Sequence, residues 1–268
     1  MNIFIFANCQ GFIMKDLIPS TYKVDVRHNY YYITKDVIDD DIFNLLHTCD
    51  YFIYQPLSSI YPVYNTDNLK LHLKTTCKCI SFPYIYNDAF TPLYKSIKRD
   101  IAINGEYDMN NVDSYVYGNS ESIIELKKSM SLDKIIEYYR SNKIDFRYKE
   151  RFEKTINILI EKEKDTDVKV SQFIIDNYKK CNLFKYHNST HDIVCCNHPS
   201  NTLIMYYVNE IFKIIGIDPI DLPKNELIGG VMYVSRYDIE YYKYDWIHEE
   251  SENIDKYIEK LIVEIYNS

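Results

Sequence analysis

Residues 2–17, NIFIFANCQGFIMKDL, decide how the chain is read. Asn2 to Phe6 is a short, nearly continuous apolar run of the kind that forms a strand buried on both faces. It breaks at ANCQG, a cluster of small and amide residues around one thiol and one of only six glycines. Gly11 to Leu17 then resumes with the spacing of a helix start. A strand running straight into a helix is the opening of an α/β fold.

The same alternation continues outward. Tyr22 to Arg27 alternates apolar and polar residues as a strand does, and 37–47 places Ile38, Ile42, Leu45 and Leu46 on one helical face. Tyr51 to Tyr54 predicts a third strand, Leu69 to Thr75 a helical piece, and Cys79 to Phe82 a fourth strand before Pro83. Strands joined by helix-sized connections favour a parallel sheet. From about residue 120 the pattern turns helical and charged. Helices are expected around Phe152–Ile160, over 170–178, over 201–215 between Pro199 and Gly216, and over 254–266. The charged run EKEKDTD (161–167) reads as a solvated helix end. The expectation is an α/β fold with a small parallel sheet and flanking helices in the N-terminal part and a largely helical C-terminal part. It forms one compact domain over 1–268, with an α/β part over about 1–118 and a mainly helical part over about 119–268.

Composition narrows the function. With 46% hydrophobic and 26% charged residues, the 268-residue chain can bury a sizeable core. Its 31 basic residues are outnumbered by 39 acidic ones, a net charge of -8. That balance gives no global pull on phosphate backbones, the lysines are interleaved with acids, and no nucleic-acid partner is expected. No apolar run approaches the roughly 20 residues of a membrane span. Seven scattered cysteines, an odd number, and a start without a basic segment lead us to expect a reducing, cytoplasmic setting. The 28 tyrosines read as the codon bias of an AT-rich genome. Cys77 and Cys79 are one residue too close for the usual zinc pair, and His187 and His191 flank a turn-like Asn188-Ser-Thr, so no metal is expected.

Cys9 sits where a parallel strand ends and a helix begins. There a thiol is activated by the helix N-terminus, and backbone N–H groups can receive an oxyanion. Asn8 and Gln10 beside it are candidate side-chain donors. The local sequence equally allows a buried, inert cysteine. A nucleophile needs a base brought near by the fold. His198, in CCNHPSN (195–201) directly before a predicted helix, is so placed, and it could also simply cap that helix.

FANCQG (6–11), YFIYQPLS (51–58), ISFPYIYNDAFTP (80–92), VSQFIIDNYKKCNLF (170–184) and NHPSN (197–201) occur in the order and spacing of one family. They resemble the WcbI family of polysaccharide biosynthesis proteins, acetyltransferases of bacterial capsule clusters, over roughly residues 1–216. The resemblance implies coenzyme A or acetyl-CoA as co-substrate and O-acetylation of a capsular or other surface sugar. The acceptor would be a polysaccharide or a nucleotide-sugar or sugar precursor. It also implies a pocket similar to that of SGNH hydrolases, with Cys9 as nucleophile and His198 as base. Asn8, Gln10, Gln55 and Asn197 would then orient the carbonyl and its oxyanion. Lys15, Arg27 and Arg236 are candidates for the nucleotide phosphates. The sequence departs from these patterns at Ala7, where the family has Gly; at Cys195, where SGNH enzymes carry the acid that orients the histidine; and at Ile85, ahead of Asn87-Asp88, where their oxyanion motif has Gly. A carbohydrate esterase and a non-catalytic sugar-binding module using aromatic runs such as YYKYDW (241–246) stay as alternatives.

Overall fold

A computed structural model describes residues 1–97, 115–184, 187–188, 193–194, 199–221, 234–245 and 252–268. Strand β1 (Asn2–Ala7) leads through helix α1 (Gln10–Leu17) to β2 (Lys23–His28). Helix α2 (Asp40–Thr48) leads to β3 (Tyr51–Tyr54), and α3 (Thr66–Lys70) to β4 (Lys78–Ser81). These strands form one parallel sheet in the order β2-β1-β3-β4. The fold class is therefore α/β with a small parallel sheet.

The sheet's two faces follow from the period-2 alternation of β1. Phe4 and Phe6 point to one side, where they pack with Phe52 and Tyr54 of β3, Ile42 and Leu46 of α2, Tyr64 and Leu69. Ile5 and Ala7 point to the other side, under α1. A Cβ on Gly11 would lie 3.1 Å from Ala7 Cβ and from Ile5 Cγ2, and 3.3 Å from Val26 Cγ1. Glycine here lets the helix lie directly on the strands. Helix α8 (Asn201–Ile215) packs against α1 and buries Leu203, Ile204, Tyr207, Val208, Ile211 and Phe212.

The chain divides into two compact units. The first comprises Met1–Ile85, Ile158–Ile175 and Asn201–Glu226 and contains the parallel sheet. The second comprises Tyr86–Asn157, Asp176–Ser200 and Leu227–Ser268. It holds the antiparallel pair β5 (Tyr94–Ile97) and β6 (Tyr115–Gly118) and the short pair β7 (His187–Asn188) and β8 (Ile193–Val194). Its helices include α4 (Glu121–Lys127), α5 (Leu132–Arg140), α9 (Arg236–Tyr242) and α10 (Glu252–Asn267). Helix α10 packs on α4 and α5. Helices α6 (Tyr148–Glu163) and α7 (Ser171–Asn177) also belong to the largely helical C-terminal part.

Several expectations shift. The helical piece expected over 69–75 is α3, which starts earlier because the Asn65 side chain accepts from Asn68 N and fixes the first turn. The antiparallel pair β5–β6 and helix α9 were not expected. The run 161–167 is more than a solvated helix end. Buried Glu163 accepts from Val170 N (2.6 Å) and Ser171 N (2.8 Å) at the start of α7. Asp167 Oδ2 accepts from Ser81 N and Ser81 Oγ at the end of β4. Some of the tyrosines are packed in the core. Tyr242 sits among Phe90, Phe152, Tyr178 and Tyr244, and its hydroxyl donates to Ala89 O at 2.7 Å. YYKYDW is thus a packing segment as far as it is described, from the end of α9 through buried Tyr244.

Candidate active site

In an open parallel sheet, ligands collect beyond the carboxyl ends of the strands, at the point where successive connections leave in opposite directions. Here that point lies between β1 and β3. From β1 the chain passes to β2 on one side, whereas β3 adds on the other. The residues just beyond these two strand ends are Asn8-Cys9-Gln10 and Gln55.

They are joined by a continuous set of hydrogen bonds. Gln55 N donates to Phe6 O (3.1 Å), extending the β1–β3 pairing by one bond. Gln55 Oε1 accepts from Asn8 N (2.9 Å), and Gln55 Nε2 donates to Gln10 Oε1 (3.0 Å). Gln10 Nε2 donates to Ile85 O (2.8 Å). Both glutamines are essentially buried, at 0% and 3% exposure, so these bonds form away from competing water. The two amides thus lock the turn between β1 and α1.

That network also decides which donors are left for a substrate. Gln10 N is taken by Asn8 Oδ1 (3.0 Å), Gly11 N by Asn8 O (2.9 Å), and Phe12 N bonds Cys9 O (3.2 Å). The first N–H groups of α1 are therefore engaged within the turn. Asn8 Nδ2 makes no hydrogen bond among the described residues. Half-buried Cys9 occupies the N-cap position of α1 in helical backbone geometry (φ -50°, ψ -25°), and its side chain does not cap the helix. Burial pushes the thiols of Cys49, Cys77, Cys79 and Cys181 above the usual range.

The other expected site residues separate clearly. Lys15 is exposed in the last turn of α1. Arg27 is spent on an ion pair: its Nε and Nη2 reach Asp41 at 2.5 and 3.0 Å, and Nη1 donates to Val26 O. Arg236 stacks over the Tyr139 ring (4.7 Å) and donates from Nη1 to Arg140 O, and its buried Nε lies 3.8 Å from Asp255 Oδ1 with no hydrogen-bond partner among the described residues. It lines a cleft with Asn142, Ile239, Glu240, Lys243 and Tyr244. Asn87, in the segment compared with the SGNH oxyanion motif, is buried with Nδ2 unpartnered among the described residues. Asn197 and His198 lie outside the described residues. Among the described residues, no group of three or more His, Cys, Asp or Glu could hold a metal ion.

One residue that the sequence reading treated as surface belongs to this edge. His28 ends β2 directly beside Ala7 of β1, two residues before Cys9. Its Nδ1 accepts from Tyr30 N (3.3 Å), which places the imidazole proton on Nε2. Burial lowers its pKa below the ordinary 6.5, keeping the ring neutral at pH 7. No local motif marks it. The signal lies only in its position at the end of a strand adjacent to β1.

A family model for "Polysaccharide biosynthesis enzyme WcbI" matches residues 2–219, most of the chain. The chain belongs to the WcbI family. The match contains both the turn at Cys9 and the segment of His198, and the family is one of polysaccharide biosynthesis enzymes. A solved WcbI structure superimposes with a TM-score of 0.70 at 13% sequence identity, covering 100% of this chain and 90% of the other. That structure is described as a novel polysaccharide biosynthesis enzyme, in native form without a disulfide bond between coenzyme A and one of its cysteines. No curated protein matches this WcbI-family chain. Among the described residues, no helix is long and apolar enough to cross a membrane.

Proposed function

We propose that this WcbI-family protein is an acetyl-CoA-dependent O-acetyltransferase acting on a hydroxyl of a capsular or other surface polysaccharide sugar, or of its precursor. The observation that carries this reading is the turn at the β1/β3 switch point. It carries Cys9 and Asn8 side by side in the chain while two buried glutamines hold the backbone. The reported relation between coenzyme A and a cysteine of the structural neighbour supports reading Cys9 as the thiol that faces the coenzyme.

Acetyl-CoA supplies an acyl group already activated as a thioester. Cys9 acts on it in one of two ways: its sulfur displaces coenzyme A, which leaves as the thiol carrying the Cys9 proton, and holds the acetyl group as a thioester until the sugar oxygen takes it; or it donates a hydrogen bond beside the carbonyl while the sugar oxygen displaces coenzyme A directly. In either case the carbonyl oxygen gains negative charge, and Asn8 Nδ2 is the side-chain donor that can stabilise it. Gln10 and Gln55 act as positioning residues. His198 accepts the proton of the attacking sugar hydroxyl, and Asn197 orients the same carbonyl. Lys15 is the candidate for a nucleotide phosphate in the unit of the sheet.

Calorimetric titration with coenzyme A and with acetyl-CoA tests the reading on wild type, Cys9→Ala and His198→Ala. Saturable binding to wild type, and to the folded His198→Ala variant, is the expected result. Intact mass after incubation with acetyl-CoA separates the two roles of Cys9, since only the covalent route adds one acetyl group. Absence of coenzyme binding to wild type would overturn the transferase and favour an esterase, tested next with acetylated sugars.

A further inference from the structure

Phe12, His28, Tyr30 and Tyr31 form an aromatic group on the β2 side of the Cys9 turn. Phe12 lies in the first turn of α1, and its backbone N–H bonds Cys9 O. Its ring centroid is 6.2 Å from that of His28, which lies 5.0 Å from Tyr31 and 6.1 Å from Tyr30. The outer rings are open to solvent: Phe12 is 43% and Tyr31 71% exposed. The His28 ring neighbours both, and its Nε2 makes no hydrogen bond to another residue among the described ones. Two exposed apolar ring faces flanking one fixed N–H donor are the mixture of apolar lining and sparse polar groups that ligand sites use.

We infer that Phe12, His28 and Tyr31 form the subsite for the acceptor's sugar ring, with the aromatic faces against its C–H face and His28 Nε2 donating to a ring or hydroxyl oxygen. This rests on the transferase reading above, because it places the acceptor beside the thiol. Distance argues against the adenine of the coenzyme as the occupant. The pantetheine arm is about as long as four residues of extended chain, roughly 13 Å. Phe12 is three residues along the helix from Cys9, only about 5 Å in rise. A ring bound there is at the reacting carbonyl, where the attacking hydroxyl has to be. A pyranose also matches the shelf chemically, with one apolar face and a rim of oxygens able to accept the Nε2–H.

The test is a set of titrations by saturation-transfer NMR with methyl glycosides of a hexose, a deoxyhexose and an N-acetylhexosamine. Each is run on wild type, Phe12→Ala, Tyr31→Ala and His28→Phe, with coenzyme A titrated in parallel. Thermal melts confirm that the variants fold, and the exposed Tyr31 site guards against loss of structure. At least one glycoside is expected to bind wild type, and its affinity to fall about fivefold or more in Phe12→Ala and Tyr31→Ala. His28→Phe, which keeps a ring and removes the donor, is expected to lose about threefold to tenfold. Coenzyme A affinity should stay unchanged throughout. Equal glycoside binding by all variants overturns the subsite. So does a wild type that binds no glycoside, or a loss of coenzyme affinity in Tyr31→Ala, which would assign the shelf to adenine. A wild type that binds a glycoside on the shelf but no coenzyme A would instead sink the transferase reading alone.

Discussion

Gln55 holds the turn that carries Cys9, the residue proposed for the chemistry. Its side chain accepts from Asn8 N and donates to Gln10, so Gln55→Leu strands two polar groups at once, the Gln10 amide buried and the Asn8 N–H partly so. The expected cost is about 2–4 kcal/mol, read as a lower midpoint in chemical denaturation, with weaker coenzyme A binding in the folded fraction. The identity of Gln55 was legible in YFIYQPLS, but its bond to Asn8 was not, because 47 residues separate the partners. Thiols can be sorted in the same way. Cys49 and Cys77 face each other at 3.6 Å, and burial raises both pKa values. The thiolate is the reactive form, so both should resist iodoacetamide at pH 7 under conditions that label the unfolded protein fully, as peptide mass spectrometry can check. Prompt labelling of the folded protein would contradict their burial.

Two glycines show that elements need small residues for different reasons. At Gly11 the need is space: an added Cβ meets Ala7 and Ile5 side chains at 3.1 Å and pushes α1 off the sheet. Gly11→Ala is expected to cost about 1–3 kcal/mol and, because Cys9 begins that helix, to reduce coenzyme A affinity as well. At Gly216 the need is backbone freedom: φ is +77° beyond the end of α8, and no atom of the described residues lies within 4 Å of a would-be Cβ. Gly216→Ala should cost about 1–2 kcal/mol and leave ligand binding intact. Calorimetry beside denaturant melts distinguishes the two. Glu163 connects elements in a third way, ending α6 while its carboxylate receives the first N–H groups of α7. Glu163→Ala leaves those buried donors unpaired, for an expected loss of about 2–4 kcal/mol in the same melts. Helix positions were readable from the spacing of apolar residues. The capping role of a glutamate inside a charged run was not, since only burial tells it from its solvated neighbours.

For the whole molecule, acid stability follows from groups distributed over both units. His28 has a folded pKa below 6.5, so the unfolded chain binds its proton first as pH falls. Its contribution is complete above about 6.5 and is lost as pH drops through the lower folded value. Asp41, Asp50 and Glu259 are lowered by hydrogen bonds from Arg27, Lys74 and Arg140, and their contributions fade below about 3.8 to 4.5. Asp255, raised by burial, works in the opposite direction. The melting temperature is therefore expected to fall in two stages on acidification, and His28→Phe should remove the first. A first stage unchanged in that variant would assign it to another group. The sequence by itself determined the α/β order, the strand-to-helix turn that carries Cys9, and the family, because these depend on apolar periodicity and on residues adjacent in the chain. Only the tertiary structure decided that Arg27 is bound to Asp41, that Gln10 and Gln55 clasp the turn, and that His28 stands beside Ala7. Each depends on which strands become neighbours, and β2-β1-β3-β4 is fixed by burying both faces of β1, a choice made by packing between segments distant in sequence.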